Sequence, residues 1–223
     1  MSMRATLAIV RKDLRIEWRT RETATTLAVL AVLLVTVLAF AHDPTPETAP
    51  QLVPAVLWAA MVFTGLLGVE RGFLLEREQD CLAGLRGAPI DPAALYTAKL
   101  VVNVLLLGAT HAVVVPLTGL FLHVDLWAVV PSLALVLALG TVGFAAVATL
   151  FAFVTVRLRS RQVMLPLLVL PLLIPLLIAA VKATEAVLGG GLAGARDALG
   201  VLVSFDVIFV TASVLLFPAI VRD

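Results

Sequence analysis

Charge is scarce in this chain. Asp, Glu, Lys and Arg make up only 14% of its 223 residues, against about 25% in soluble domains. Apolar residues reach 61%, and mean hydropathy is +1.10. A chain of this length can bury a good core in water, but not this many apolar side chains, so lipid must cover many of them. Cysteine is almost missing. The single Cys81 excludes an internal disulfide, and the paired spacings of zinc and redox sites do not occur. There is no GxxxxGKS or GxxxxGKT phosphate loop, so ATP cannot be bound by that route. HExxH and GxSxG are also missing, and His42, His111 and His123 are scattered.

What is present is a series of six apolar runs, at roughly 23–41, 52–69, 97–121, 127–154, 163–183 and 199–220. Each is near the ~20 residues that cross the hydrocarbon of a bilayer. The first run is expected to stay as an uncleaved span despite Ala39-Phe40-Ala41, because the mixed segment before it, with Asp13, Glu17 and Glu22, is long for a signal peptide. The basic residues set the orientation. Arg4, Arg11, Lys12, Arg15, Arg19, Arg21, Arg71, Arg77, Arg86, Lys99, Arg157, Arg159, Arg161 and Arg222 all fall on one side of a six-span topology; only Lys182 and Arg196 fall on the other. Positive residues near span ends stay in the cytoplasm, which places both termini there.

Residues 3–21 precede the spans. Met3, Leu7, Val10, Leu14 and Trp18 recur at helical spacing, with Arg4, Arg11, Arg15 and Arg19 on the adjacent stripe. Such a helix lies in the membrane interface with its arginines near anionic headgroups. Pro166, Pro171 and Pro175 predict a bent fifth span packed in the bundle. Gly140 and Gly143 predict close approach of another helix to the fourth.

The cytoplasmic loop 70–96 carries its own signal. Glu76, Arg77, Glu78 and Asp80 read as an extension of the second span. Cys81 to Arg86 reads as a short helix presenting Leu82 and Leu85, ended by Gly87 and Pro89. Asp91-Pro92 is a helix start, with the carboxylate capping free amides and proline at the first helical position. A solvated loop has no need of such leucines, whereas a docking helix does.

Two intramembrane residues stand out. Asp206 lies well inside the sixth run, and an aspartate there costs about 2.5–3.5 kcal/mol on insertion scales. Lys182 is its expected partner in a polar pair, with a proton relay as the other reading. His111, inside the third run, is either a ligand for haem iron or, more commonly for such a histidine, a hydrogen-bond partner of a neighbouring helix.

Three sets of residues give the chain a resemblance to a known family. They are Arg11-Lys12-Asp13-Leu14-Arg15-Ile16-Glu17-Trp18-Arg19; Trp58 through Leu67 with Glu70-Arg71, Phe73, Glu78-Gln79-Asp80, Leu82, Leu85 and Pro89; and Leu139-Gly140-Thr141, Gly143-Phe144, Leu165-Pro166, Leu170-Pro171-Leu172 and Ile174-Pro175-Leu176-Leu177-Ile178, with Pro218 near the end. On these the chain resembles the CcmB family, haem exporter protein B, the permease subunit of the cytochrome c maturation system. Cys81 departs from the family's usual glycine, and Asp206 is outside its pattern.

The resemblance implies an all-α, ABC-2-like exporter permease: one domain of six transmembrane helices preceded by an interfacial amphipathic helix. It implies a location in a bacterial or archaeal cytoplasmic (inner) membrane, and two copies per complex. It further implies a coupling helix in the loop after the second span, with Glu76, Arg77, Glu78, Asp80, Leu82, Leu85 and Pro89 docking on a cytosolic ATPase, CcmA. CcmC, CcmD and the haem chaperone CcmE are the other implied partners. Haem is the implied cargo, with no cofactor bound directly and no catalysis by this subunit. A scaffold that moves with ATP hydrolysis but carries nothing shares these features. A secondary transporter would need paired broken helices, and a membrane enzyme would need a polar cluster at one interface.

Overall fold

Inside a bilayer no water satisfies the backbone, so an apolar run must close its own hydrogen-bond ladder, and a helix does so locally. A computed structural model describes residues 3–41, 45–78, 91–155 and 161–222. Its helices are α1 (Met3–Thr20), α2 (Glu22–Ala41), α3 (Ala49–Glu78), α4 (Pro92–Leu122), α5 (Val130–Thr155), α6 (Arg161–Gly190) and α7 (Arg196–Arg222), with a 3-10 turn at Trp127–Val129. Among the described residues, the six helices α2 to α7 are long and apolar enough to cross a membrane. The protein is therefore an all-α polytopic membrane protein.

The helix ends follow local chemistry. Asp91 caps α4, its side chain accepting from the Ala93 amide, with proline next in the chain. Thr45 and Thr48 exchange backbone and hydroxyl hydrogen bonds ahead of α3. One boundary differs from the sequence reading. The fifth span does not stop near residue 183; α6 runs on to Gly190, and the connection to α7 shrinks to residues 191–195. Residues 184–188 contain no breaker, so the helix continues until Gly191 takes a φ of 84° and its amide bonds back to Val187.

Two helices form the centre. In the α3 and α5 spans 72% of residues are buried, against 22–39% in the other four. Glycine makes this density attainable, because a Cβ at Gly140 would overlap the Trp58 ring and one at Gly65 would overlap Phe144. At Gly143 a Cβ would stand 2.5 Å from Asp206 Oδ1 and 2.8 Å from Leu176. The close approach expected at Gly140 and Gly143 is thus present.

The outer helices each bury one stripe. α2 buries Leu27, Ala31, Val35 and Ala39. α6 buries Leu165, Val169, Leu173, Leu176, Ala180 and Ala183. Pro171 and Pro175 are exposed, off that stripe, and α6 is a continuous peripheral helix with one face on the core.

Gly140→Ala is expected to destabilise the protein by about 1–3 kcal/mol through overpacking against Trp58. Gly108→Ala, where nothing lies within 4 Å, is expected to be neutral or stabilising by up to about 1 kcal/mol. Thermal unfolding in detergent micelles checks both.

Candidate functional site

Three stripes divide the surface of α1. Thr6, Ile9, Val10, Asp13 and Leu14 turn toward the bundle, with Ile9 and Val10 buried and Leu14 packed on the core. Met3, Leu7 and Trp18 are exposed, 68–85% in relative area. Arg4, Arg11, Lys12, Arg15 and Arg19 are exposed on the remaining face. The stripe read from the sequence therefore splits, since Val10 and Leu14 pack on protein while Met3, Leu7 and Trp18 do not.

The docked stripe is pinned to the first turns of α4. Asp13 Oδ2 accepts from Lys99 Nζ at 2.6 Å, and both side chains are about nine-tenths buried. Lys12 Nζ sits 3.1 Å from the other carboxylate oxygen, and Thr6 Oγ1 donates to the Ala94 carbonyl at 3.5 Å. By charge distribution Lys99 falls on the cytoplasmic side, at the start of the third apolar run. It lies in the second turn of α4, and its charge faces α1.

The corner between α1 and α2 is equally built. Arg21 adopts a left-handed φ of 53°, and Glu17 Oε1 accepts from the Ala24 amide at 2.7 Å, capping α2 from the preceding helix. The Arg21 guanidinium stands 5.8 Å from the Trp18 ring centre. Arg71 of α3 then ties down the start of α2, donating to Thr26 Oγ1 at 2.9 Å with Glu22 at 3.9 Å.

These contacts frame the loop that joins α3 to α4. Glu76, Arg77 and Glu78 belong to the last turn of α3, and their side chains lie outside the described residues. So do Asp80, Leu82, Leu85 and Pro89 entirely.

Within the membrane, Trp58 Nε1 donates to Thr184 Oγ1 at 3.0 Å. From α4, Tyr96 donates to the Ala146 carbonyl at 3.0 Å and Asn103 Nδ2 to Thr149 Oγ1 at 2.8 Å. His111 Nε2 lies 3.0 Å from Thr141 Oγ1, so the structure gives this histidine the helix-bridging role. Thr141 spends its own proton on the Leu137 carbonyl at 2.6 Å, which makes Nε2 the donor and leaves Nδ1 a bare acceptor.

The expected Asp206–Lys182 pair is not formed. Asp206 is buried, with Oδ1 against Gly143 and without a hydrogen-bond partner among the described residues. Lys182 is exposed. Their depths are similar, ten residues from the start of α7 and eight from the end of α6. Their faces differ, because Lys182 stands off the buried stripe of α6.

Sequence reasoning missed Asp13, Lys99, Tyr96 and Asn103. The signals were an acid inside an arginine-rich helix, a lone lysine early in an apolar span, and polar residues repeating along that span. Among the described residues no three His, Cys, Asp or Glu side chains gather as metal ligands. An opening of about 350 Å³ beside Pro116, Leu120 and Trp127 is lined by apolar residues and glycine.

Six apolar helices, a central pair filled by side chains, and an amphipathic helix fastened to one face define a polytopic membrane protein. The CcmB protein family model matches residues 4–223, and the chain belongs to that family. It is 31% identical over 190 residues to heme exporter protein B of Bradyrhizobium diazoefficiens, covering 84% of each chain. It is 31% identical over 178 residues to heme exporter protein B of Paracoccus denitrificans, covering 80% of this chain and 81% of the relative. The protein of that name from Haemophilus influenzae is 31% identical over 189 residues, 81% of each.

Asp13→Ala removes the carboxylate 2.6 Å from the buried Lys99 ammonium and is expected to cost about 3 kcal/mol, as for other broken buried pairs. The exchange Asp13→Lys with Lys99→Asp is expected to recover most of it. Thermal unfolding of the three variants in micelles checks the pair.

Proposed function

We propose that this chain is the membrane-spanning subunit of an ATP-driven complex that exports or delivers haem for c-type cytochrome assembly. The observation that carries the reading is family membership over nearly the whole chain, with relatives named heme exporter protein B. Haem is then the cargo of the complex rather than a resident cofactor. The missing phosphate loop requires the ATPase to be a separate subunit, CcmA, with CcmC, CcmD and the chaperone CcmE completing the pathway. ATP hydrolysis releases haem-loaded CcmE. Two copies of this chain give the ATPase pair two docking elements.

The docking element is the last turn of α3, with Glu76, Arg77 and Glu78, together with the loop after it, with Asp80, Leu82, Leu85 and Pro89. What supports this is its position. The loop joins the end of α3 to the capped start of α4, and α4 is the helix that α1 grips through Lys99. The distribution of Lys and Arg supports an inner-membrane protein with both termini and this loop in the cytoplasm.

One observation favours a second reading, a mechanical subunit that transmits ATP hydrolysis without carrying haem. The centre of the bundle is solid, with Trp58, Tyr96, Phe144 and Phe217 all at most 2% exposed.

Deleting the gene is expected to abolish holo c-type cytochromes, and normal cytochrome levels in the deletion strain would overturn the pathway. Leu82→Asp with Leu85→Asp is expected to weaken copurification of the ATPase about 30-fold, the effect of losing a hot spot worth about 2 kcal/mol. Unchanged copurification would remove the docking assignment and leave the pathway standing.

A further inference from the structure

Among the buried polar side chains of α4, four recur at intervals of seven, eight and seven residues: Tyr96, Asn103, His111 and Thr118. At 100° per residue they fall within about a quarter turn of one face, and at ~1.5 Å per residue they extend over about 33 Å. That is about the full ~30 Å of the hydrocarbon core. Three of the four bond to α5, as described above.

Interhelical hydrogen bonds hold membrane bundles together at about 0.6 kcal/mol each, and that accounts for Tyr96 and Asn103. It does not account for two atoms at the far end of the row. His111 Nδ1 and Thr118 Oγ1 are buried, in residues 8% and 0% exposed, with no hydrogen-bond partner among the described residues. A buried polar atom left unbonded costs about 1–3 kcal/mol; valine would fill the place of Thr118 without that cost. Both atoms lie on the side of α4 that bonds to α5, so a separation of the two helices would open them to a polar partner. α4 is also the helix with a handle outside the membrane. It starts at the Asp91 cap right after the loop, and α1 grips it at Lys99.

We propose that the α4–α5 seam opens during the ATP cycle and is the polar lining of the cargo path. The seam takes the carboxyl groups of an amphipathic acid in their neutral form. A carboxyl O–H donates to His111 Nδ1, and a carboxyl oxygen accepts from Thr118. The neutral form is required because an ionised carboxylate has no cation along this row beyond Lys99, and burying it unpaired is far more costly. The inference rests on the transport reading above and decides against the mechanical one.

The test uses the assembled complex in membrane vesicles, with Cys81→Ser as background. Thr118→Cys and His111→Cys are treated with a membrane-impermeant methanethiosulfonate, with and without ATP. Ala31→Cys, buried on α2, and Leu216→Cys, on the apolar exterior of α7, are the controls. If ATP raises the open state from about 1% to about 10%, modification at 111 and 118 quickens about tenfold, the controls stay unchanged, and added haem slows the reaction. Seam positions as slow as Ala31→Cys while the vesicles hydrolyse ATP would overturn the seam alone. Vesicles in which no ATPase copurifies would overturn the transport reading itself. Thr118→Val covers the case in which a cysteine variant does not accumulate. It is expected to unfold at higher temperature than wild type yet mature several-fold less cytochrome; normal cytochrome with higher stability would overturn the proposal.

Discussion

The Trp58 ring occupies the space that a side chain at position 140 would need, and its Nε1 reaches past α5 to Thr184 on α6. One residue thereby fixes three helices. The arrangement matters because lipid tails are as apolar as leucine, so helices in a bilayer gain little from hiding apolar surface against one another. Close backbone approach and interhelical hydrogen bonds must do that work. α5 supplies both on every side: Gly140 to α3, Gly143 to α7 and α6, the Ala146 carbonyl to Tyr96, and Thr141 and Thr149 to the polar side chains of α4. The peripheral helices need only one apolar stripe each, and lipid takes the rest.

A second set of constraints acts at one face only. The Asp13–Lys99 pair, the Glu17 cap on α2, the left-handed Arg21 and the Arg71 bond to Thr26 form a chain of contacts from α4 through α1 and α2 to α3. The helices on both sides of the loop, α3 and α4, are thus cross-braced through α1 and α2.

The spans were legible because length and hydropathy are local properties, and a helix in lipid has no competing secondary structure. Gly140 and Gly143 were legible because close approach in a membrane leaves small residues in the sequence. The extension of α6 to Gly190 was not, since residues 184–188 read as the approach to a glycine-rich loop when hydropathy alone marks the end of a span. The failure of Asp206 and Lys182 to meet has a similar origin. Depth follows from counting residues, but the face of a helix depends on which neighbour it packs against. Asp13 and Lys99 are 86 positions apart, and α1 gave no sign that its acid would turn inward while its arginines stayed out. The polar row on α4 was visible as letters, yet it became a seam only once α5 lay along it.

On the face opposite α1 the connections are short. Residues 42–48 join α2 to α3, residues 123–129 join α4 to α5, and residues 191–195 join α6 to α7. His123 closes α4 with a left-handed residue, and Asp125 accepts from the Trp127 amide one turn later. Among the described residues, nothing on that side is long enough to fold into a domain of its own. Whatever meets the protein on that side meets helix ends and turns rather than a folded domain.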